Sequence, residues 1–266
     1  MAAMLSSPAH SPVHSPVEAV ATDHAAGVEI THHTHDSGQL SLVLRGTMTV
    51  TGEQGWWLAP SGLAIWVPPK VVHGARYSES SSLLHLRFSS AFAARLPDDF
   101  RLIVVSDLLR ELAHEAVRLT PLDDQVHTLG LLAQLMVLQA QLPRHGPGLF
   151  VPHGRDRRLR LAIDVLRQDP GADIHIDELA ARAHTSSRTL ARLFVAETQM
   201  TFGRWREHLR IVCAVDKLAR GHSITQTALD LGYRSASSFT TLFTRLLGAP
   251  PRRYMQQLHQ HDQATA

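Results

Sequence analysis

The stretch "ITQTALDLGYRSASSFTTLFTRLLGAPPRRY", residues 224–254, decides the fold of the C-terminal part of the chain. Apolar residues at helical spacing stop at Gly232, resume after it and stop again at Gly248, beyond which two prolines oppose continuation of the same helix. Phe239 and Phe243 lie four residues apart and therefore share one face of the second segment. The pattern predicts a short helix, a tight turn and a second helix, which is a helix-turn-helix unit.

A second copy of this pattern lies upstream in "IDELAARAHTSSRTLARLFVAETQ", residues 176–199. The interval from Ala180 to Leu190 matches, within one residue, the interval from Ala228 to Phe239. A small residue is needed where two helices cross closely, and large apolar residues on the next helix fill the space beneath. The sequence therefore predicts two helix-turn-helix units.

The positive charge of the chain is concentrated in this helical region. Residues 155–258 contain 17 Lys or Arg and 10 Asp or Glu, a balance of +7, whereas residues 1–154 contain 9 and 13, a balance of −4. Between the two copies, at about residues 201–220, the pattern is that of one long helix. A basic domain with paired helix-turn-helix units favours double-stranded DNA as the partner.

The two copies resemble the DNA-binding domain of AraC/XylS-type transcriptional regulators. The residues at the family's positions are Leu179, Ala180, Ser186, Arg188, Leu190, Arg192, Phe194, Arg210, Ala228, Gly232, Tyr233, Ser235, Phe239, Phe243, Gly248, Pro250 and Tyr254. The resemblance implies that the second helix of each unit enters a major groove. Two positions depart from the family pattern. His184 replaces the usual turn Gly, although His tolerates positive φ better than most residues, and Thr241 stands where many members carry Arg.

The predicted DNA contacts follow from the outward faces of the second helices. Leu190, Leu193 and Phe194 are expected to point inward in the first unit, and Phe239, Phe243 and Leu246 in the second. The residues left outside, and predicted to contact DNA, are Arg188, Thr189, Arg192, Ser237, Thr240, Thr241, Thr244 and Arg245. Arg188 and Arg192 share a face, and each guanidinium can donate two hydrogen bonds to guanine. The hydroxyls of the second unit can serve bases or phosphates.

The rest of the chain predicts an α+β protein with a small N-terminal β-barrel or sandwich and an all-α C-terminal domain. Short runs rich in Leu, Val, Ile, Thr and Trp alternate with Gly and Pro turns, and helical patterns follow them. The predicted organisation is a disordered tail at 1–26, a sensing and dimerisation region at 27–142, a linker at 143–154, a DNA-binding domain at 155–258 and a tail at 259–266.

A leucine-rich helical pattern within residues 106–142 has two interpretations. The apolar stripe consists of Leu129, Leu132, Leu135, Met136 and Leu142. It could pack on its own barrel, or it could form the seam of a homodimer that holds two DNA-binding ends at a fixed separation. The number of leucines exceeds what one narrow helix face needs, and the sequence leaves both interpretations open.

Two further segments, "HTHDSGQLSLVLRG" and "GLAIWVPPKVVH", resemble the two motifs of the cupin family. The resemblance implies that His33, His35 and His73 converge in one barrel and could hold Fe, Mn, Ni or Zn. Gln39 stands where cupins usually have Glu, which weakens the case for a catalytic metal because an amide is a poor anionic ligand. Lys70 occupies a position often held by Gly.

Three interpretations of these histidines compete: metal ligands, polar groups lining a pocket for a small-molecule effector, or structural histidines at strand ends. The predicted effector pocket contains Gln39, Trp57 and Trp66, although core packing is the commoner role of Trp on strands.

The leading functional prediction is a one-component transcriptional regulator that is not an enzyme, in which a cupin-like domain senses a small molecule or metal and changes how the C-terminal domain engages a promoter. The alternative is a cupin metalloenzyme with a DNA-binding appendage. Since no segment resembles a signal peptide or a membrane span, the expected location is the cytoplasm, with no membrane partner. Similarity to one group of these regulators implies control of a neighbouring drug-efflux gene. Activation and repression stay equally open.

Overall fold

The computed structural model describes residues 4–5, 15–122, 124–142 and 148–260. The chain divides into two compact units. The first contains residues 1–52, 57–147 and 257–266, and the second contains residues 53–56 and 148–256.

The first unit is built mainly from short strands. These are β1 (Met4–Leu5), β2 (Val17–His24), β3 (Glu29–His33), β4 (Gly38–Arg45), β5 (Thr47–Gly52), β6 (Gly55–Pro60), β7 (Leu63–Val67), β8 (His73–Arg76), β9 (Ser81–Phe88) and β10 (Arg101–Val104). Its helices are α1 (Ser90–Ala93), α2 (Asp107–Leu119) and α3 (Val126–Gln141).

The strands form two sheets, as the predicted barrel or sandwich requires. One has the order β10-β7-β4-β9-β2 and is antiparallel throughout. The other runs β1-β3-β8-β5-β6 in this unit. The predicted α+β class, with an N-terminal β-domain and a helical C-terminal region, is confirmed.

One face of the five-stranded sheet carries the hydrophobic core of this unit. Leu40 and Leu42 on β4 share a buried cluster with Leu84 and Leu86 on β9 and with Met136 on α3. Since successive strand residues point to opposite faces, the residues between these leucines lie on the other face of the sheet. Alternation along β4 and β9 thus separates an apolar, helix-covered face from a more polar one.

Helix α3 is apolar on two opposite faces. Its inner face packs into the core and consists of Leu129, Ala133, Met136 and Val137. Its outer face is 45 to 53% exposed and consists of Leu131, Leu135, Leu138 and the adjoining Leu142. The predicted single stripe was therefore wrong: it combined Leu129 and Met136 from the inner face with Leu135 and Leu142 from the outer one, and Leu132 packs partly against the core.

The second unit is helical except for one short strand and the first two residues of β6. Its elements are β11 (Phe150–Pro152), α4 (Arg157–Gln168), α5 (Ile176–Arg182), α6 (Ser187–Thr198), α7 (Phe202–Ala219), α8 (Ile224–Asp230), α9 (Ala236–Leu247) and α10 (Pro251–Gln260), the last of which runs beyond residue 256. Helices α6 to α9 begin after hydroxyl residues whose side chains accept a backbone N–H of the first turn. These N-caps fix where each helix starts.

Three of the predicted regions need correction. Residues 17–24 of the predicted disordered tail form β2, because this strand pairs along its whole length with β9 and buries Val17. Within the predicted linker, residues 150–152 form β11, and residues 143–147 lie outside the described residues. The first two residues of the predicted C-terminal tail, 259 and 260, belong to α10, and residues 261–266 lie outside the described residues.

No helix in the described part of the chain has both the length and the apolar character that crossing a bilayer requires.

Candidate functional site

The first helix-turn-helix unit consists of α5 and α6. Ala180 lies buried on α5, and Leu190 and Phe194 of α6 are fully buried. The turn between the helices places His184 at a φ of 53°, so the prediction that His can take the place of the usual Gly is confirmed. Ser186 then caps α6 by accepting the backbone N–H of Thr189 at 3.2 Å. This local chemistry sets the direction in which α6 leaves the turn.

The outward face of α6 presents two guanidinium groups. Arg188 and Arg192 are exposed, and no side-chain hydrogen bond or ion pair of the described residues involves either guanidinium. By contrast, Arg182 at the end of α5 is paired with Glu178 at 2.6 Å. Thr189 is half-buried, and its hydroxyl accepts a hydrogen bond from Ser186 at 2.9 Å. Arg188 and Arg192 are therefore available to an external acceptor, whereas the Thr189 hydroxyl is engaged in the cap.

The second unit, α8 and α9, presents a different surface. Ser237 and Thr241 are exposed, while Thr240 and Thr244 are half-buried. The Thr241 and Thr244 hydroxyls donate to the backbone carbonyls of Ser237 and Thr240, at 3.1 and 2.8 Å. Arg245 is ion-paired with Glu207 on α7 at 2.8 Å. The proton of each of these two hydroxyls is thus used inside the helix, which leaves their oxygen atoms as acceptors.

The predicted core of the second unit is correct for two of its three residues. Phe239 and Phe243 are fully buried, with ring centroids 5.6 Å apart. Leu246 is 39% exposed, so its assignment to the core was wrong. Leu246 follows Phe243 by three residues and therefore lies at the edge of the buried face of α9, next to the face that is exposed to solvent.

A buried arginine connects the segments behind the second turn. Gly232 has a φ of 74°, and a Cβ at this position would lie 2.3 Å from the carbonyl oxygen of Gly171. Arg210 on α7 donates to that same oxygen at 3.2 Å and to the oxygen of Pro170 at 2.8 Å. The turn of the second unit and the α4–α5 connection therefore approach each other closely, and Arg210 satisfies the carbonyls between them.

In the first unit of the chain, three histidines converge. His33 is the last residue of β3, and His73 is the first residue of β8. These two residues are directly paired across the strands, and His35 lies just beyond β3. One ring nitrogen from each lies within 4.8 Å of the others. His35 and His73 are buried, and His33 is half-buried. Burial, together with the neighbouring imidazoles, lowers the pKa of His73 to about 4. The ring of His73 is therefore neutral near pH 7.

The loop that leads to His73 contains one departure from the cupin motif. Lys70 has a φ of 62°, the region that favours glycine, and its backbone N–H donates to the carbonyl of His35 at 2.8 Å. This hydrogen bond joins the two histidine-bearing segments although Lys stands where Gly is usual.

Gln39 is engaged elsewhere on the polar face of β4. Its amide nitrogen lies 3.0 Å from the Ser41 hydroxyl and 3.4 Å from Nδ1 of His85, and the Ser41 hydroxyl lies 2.8 Å from the same nitrogen. Arg87 on β9 pairs with Glu18 on β2 at 2.6 Å, one step further along this face. Ser41, His85 and this ion pair were not predicted from the sequence, because the pairing register that aligns them is not a local property of the sequence.

The two predicted pocket tryptophans differ in their surroundings. Trp57 is stacked on Phe100, with ring centroids 4.2 Å apart, and Phe100 in turn lies edge-on to His73. The assignment of Trp66 to a pocket wall was wrong. Its ring is fully buried in the core cluster, lies edge-on to Phe88 and donates its Nε1–H to the carbonyl of Pro97 at 2.8 Å.

Comparison with known proteins matches both parts of the chain. Residues 15–148 match the AraC-like ligand binding domain, and residues 179–257 match a helix-turn-helix domain. The chain is 32% identical over 238 residues to the HTH-type transcriptional regulator NimR of Escherichia coli K12, which covers 88% of this chain and 86% of that protein. It is 27% identical over 152 residues to the HTH-type transcriptional activator RhaR of Yersinia pestis, covering 56% of this chain and 51% of that protein.

Among solved structures, ToxT from Vibrio cholerae O395 aligns with a TM-score of 0.40 and 13% identity, over 91% of this chain and 98% of that one. NimR is named as a transcriptional regulator and RhaR as a transcriptional activator. With the ligand-binding match spanning half of its length, and a relative above 30% identity spanning most of it, the chain belongs to the AraC-type family of transcriptional regulators, with an N-terminal ligand-binding domain and a C-terminal helix-turn-helix domain.

Proposed function

We propose that this regulator reads its operator chiefly through Arg188 and Arg192 on α6, as a homodimer whose N-terminal domain responds to a small-molecule effector. The observation that supports this is the pair of exposed guanidinium groups on one face of a capped recognition helix, without partners among the described residues. Arg is the residue best suited to bidentate recognition of guanine. Thr189 lies near this face, and its hydroxyl and backbone N–H are both hydrogen-bonded to the capping residue Ser186.

The second unit is proposed to position the protein on the phosphate backbone. Ser237, Thr240, Thr241 and Thr244 offer hydroxyl groups, and two of these protons are already used within the helix. Arg245 would have to leave Glu207 to reach DNA. Base readout in this unit is therefore weaker than in the first, consistent with the Thr at position 241.

The test of base readout compares three variants on two DNAs. Full-length protein is used to select bound sequences from a random duplex pool, and the recovered operator is compared with a scrambled duplex. Arg188→Ala and Arg192→Ala are each expected to weaken operator binding by about 1 to 3 kcal/mol, or roughly 5- to 150-fold, with a smaller effect on scrambled DNA. Arg182→Ala, which removes an exposed and already paired arginine, serves as the matched control. Equal losses on both duplexes would assign the two arginines to the backbone.

Dimerisation is proposed through the outer face of α3. Leu131, Leu135, Leu138 and Leu142 recur at the spacing of a coiled-coil seam, on a helix whose other face is already buried in its own core. A helix that is apolar on both faces is stabilised when both faces are removed from water. The same helix of a second copy of the chain can bury the outer face by packing against it.

Sedimentation at micromolar concentration tests the dimer. The double variant Leu135→Glu, Leu138→Glu is expected to sediment as a folded monomer, because each carboxylate would be buried without a partner in the seam. Leu108→Glu is the matched control, since Leu108 is equally exposed but lies on α2. A wild-type protein that is monomeric, or a double variant that keeps the wild-type sedimentation coefficient, would contradict this seam.

For the effector, the polar face of β4 and β9 is the proposed contact surface, with Gln39, Ser41 and His85 as hydrogen-bonding groups and Trp57 as an aromatic neighbour of the histidines. A regulator without catalytic activity is favoured over a metalloenzyme because no carboxylate of the described residues joins the histidine group and the Gln39 amide is held by Ser41 and His85. The similarity to NimR-like regulators supports action in the cytoplasm on a neighbouring efflux gene. Transcript levels of the flanking genes, measured with and without a deletion of this gene, test that target.

A further inference from the structure

A pocket of about 630 Å³ lies within the second unit, among residues that the proposed function does not use. Its walls come from residues 53–54, from β11 with the segment that follows it, and from residues 197–200 at the end of α6. Pockets of roughly 300 to 1,000 Å³ are of the size that holds small organic ligands in proteins. The pocket is therefore large enough for a small molecule, and it adjoins the helix that carries Arg188 and Arg192.

Hydrogen bonds hold the segments that form this pocket. The carbonyl of Pro152 on β11 accepts the Nε1–H of the buried Trp205 at 2.8 Å, and the backbone N–H of His153 donates to the carbonyl of Gln54 at 3.0 Å. On the other segment, Gln199 ends α6 in the left-handed conformation, with its N–H hydrogen-bonded back into the helix. The pocket is therefore a formed part of the folded unit.

Three of the lining residues are apolar. Phe150 and Met200 are half-buried, and Pro152 is buried. The face of an aromatic ring attracts cations as well as apolar groups, and the unbranched thioether of methionine adapts to the shape of the group that it contacts. These three side chains could bury the apolar body of a ligand.

The charged groups of the lining leave one carboxylate without an ion-pair partner. Arg155 pairs with Glu53 at 3.3 Å, whereas no ion pair of the described residues involves Glu197. One oxygen of Glu197, Oε2, accepts the backbone N–H groups of Arg155 and of Asp156, the latter at 3.0 Å, and no hydrogen bond of the described residues involves Oε1. Glu197 also lies in the last turn of α6, where the negative end of the helix dipole disfavours a carboxylate. A cation beside Oε1 would therefore be stabilised by Glu197 and by the helix end together.

Two arginines of the neighbouring helix α4 are engaged elsewhere. Arg158 is paired with Asp156 at 2.8 Å, and Arg160 donates to the carbonyl of Gly154 at 3.2 Å. Neither of the two arginines lines the pocket. The charge of Glu197 is therefore left for a cation from solution.

We propose that this pocket binds an organic cation with an apolar body, such as a quaternary ammonium or phosphonium compound. The cationic centre lies beside Oε1 of Glu197, and the apolar body packs against the three apolar lining residues. An anion is disfavoured because the lining contains two carboxylates and one guanidinium, and Glu53 already neutralises that guanidinium. The pocket is thus a second ligand site, in the DNA-binding unit, and it shares no residue with the effector surface proposed on β4 and β9.

The test titrates full-length protein with tetraphenylphosphonium and, separately, with triphenylphosphine oxide, which carries three of the same rings and no net charge. Binding is measured by calorimetry in the absence of DNA. Tetraphenylphosphonium is expected to bind at one site per chain, at least about tenfold more tightly than the neutral oxide, because only the cation is attracted by the unpaired carboxylate.

Two variants locate the site. Glu197→Gln is expected to weaken tetraphenylphosphonium binding by at least about fivefold, since the amide removes the charge but keeps an oxygen for the backbone N–H groups. Met200→Lys keeps an unbranched side chain and adds a like charge to the lining, so it should weaken binding as well. Glu178→Gln is the matched control, because Glu178 is an exposed carboxylate on α5 that is paired with Arg182 and does not line the pocket. Circular dichroism checks that each variant is folded.

Absence of saturable tetraphenylphosphonium binding to the wild type up to about 1 mM would overturn the proposal, as would equal affinity for the neutral oxide. Unchanged affinity in Glu197→Gln and Met200→Lys would overturn it too, as would weakening of the same size in Glu178→Gln. The substituted residues lie outside the proposed operator contacts and the dimer seam, and DNA is absent from the measurement. Failure here therefore leaves the proposed function untouched, and failure of the proposed function leaves this pocket untouched.

Discussion

The close approach behind the second helix-turn-helix turn gives a quantitative test of the structure. Gly232 and Gly248 both have φ near 75 to 80°, but their surroundings differ. A Cβ at 232 would lie 2.3 Å from the backbone oxygen of Gly171, whereas a Cβ at 248 would have nothing within 4 Å. Substituting Ala at each position therefore adds the same left-handed backbone strain, and only Gly232→Ala adds a collision with backbone.

The expected magnitudes follow from these two terms. A left-handed conformation costs a non-glycine residue about 1 to 2 kcal/mol, which is the full effect expected for Gly248→Ala. The collision at 232 requires the α4–α5 connection to shift by about 1 Å, and overpacking of this kind costs about 1 to 3 kcal/mol. Arg210 resists the shift because it holds the oxygens of both Pro170 and Gly171. Gly232→Ala should therefore lower the free energy of unfolding by about 2 to 5 kcal/mol.

Urea unfolding of the full-length protein, followed by helical circular dichroism, measures this difference. Gly232→Ala should shift the midpoint to lower urea by clearly more than Gly248→Ala does. Equal shifts for the two variants would refute the reasoning, because they would mean that no backbone lies against residue 232. A smaller shift for Gly232→Ala than for Gly248→Ala would refute it more strongly.

Three other outcomes are expected. Trp56→Ala should lower the free energy of unfolding by about 3 to 5 kcal/mol, because the buried ring lies edge-on to Trp205 and beneath the guanidinium of Arg167 at 4.3 Å; an unchanged urea midpoint would contradict this. Arg210→Met should destabilise the second unit by about 2 to 3 kcal/mol, since it leaves more than one partly buried carbonyl without its donor. Arg206→Met, which removes a single such hydrogen bond at 2.8 Å, should destabilise it less in the same assay. The logarithm of the association constant for a random duplex should fall linearly with the logarithm of the salt concentration, with a slope of about −0.9 per phosphate contact. An association constant that does not change with salt would exclude residues 155–258, with their charge balance of +7, as the binding surface.

The helix-turn-helix units were predictable because their determinants are local. Hydroxyl caps, glycine and histidine turns and the spacing of Phe239 and Phe243 all act within about two helical turns, so the sequence specifies them directly. Even the substitution of His184 for Gly could be judged in advance from the conformational tolerance of the residue. The same locality made Arg188 and Arg192 identifiable as outward-facing once the buried face of α6 was known.

The β-domain was predictable in class but not in detail, because its contacts depend on which strands pair and in what register. Residues 17–24 have no strong strand pattern, yet pairing with β9 orders them as β2. Trp66 is core rather than pocket because α1 and its loop close over it, and α3 has two apolar faces where the sequence showed one mixed stripe.

The histidine site combines both kinds of information. The sequence by itself placed His33 and His35 two residues apart, within reach of one another. Only the tertiary structure brings His73 to them, through the register of β3 against β8, and only the backbone around each ring directs its proton to Nδ1. Short-range chemistry is specified by neighbouring residues, whereas the meeting of distant strands is a property of the whole packed sheet, and that is why the convergence and tautomers of these rings required the structure.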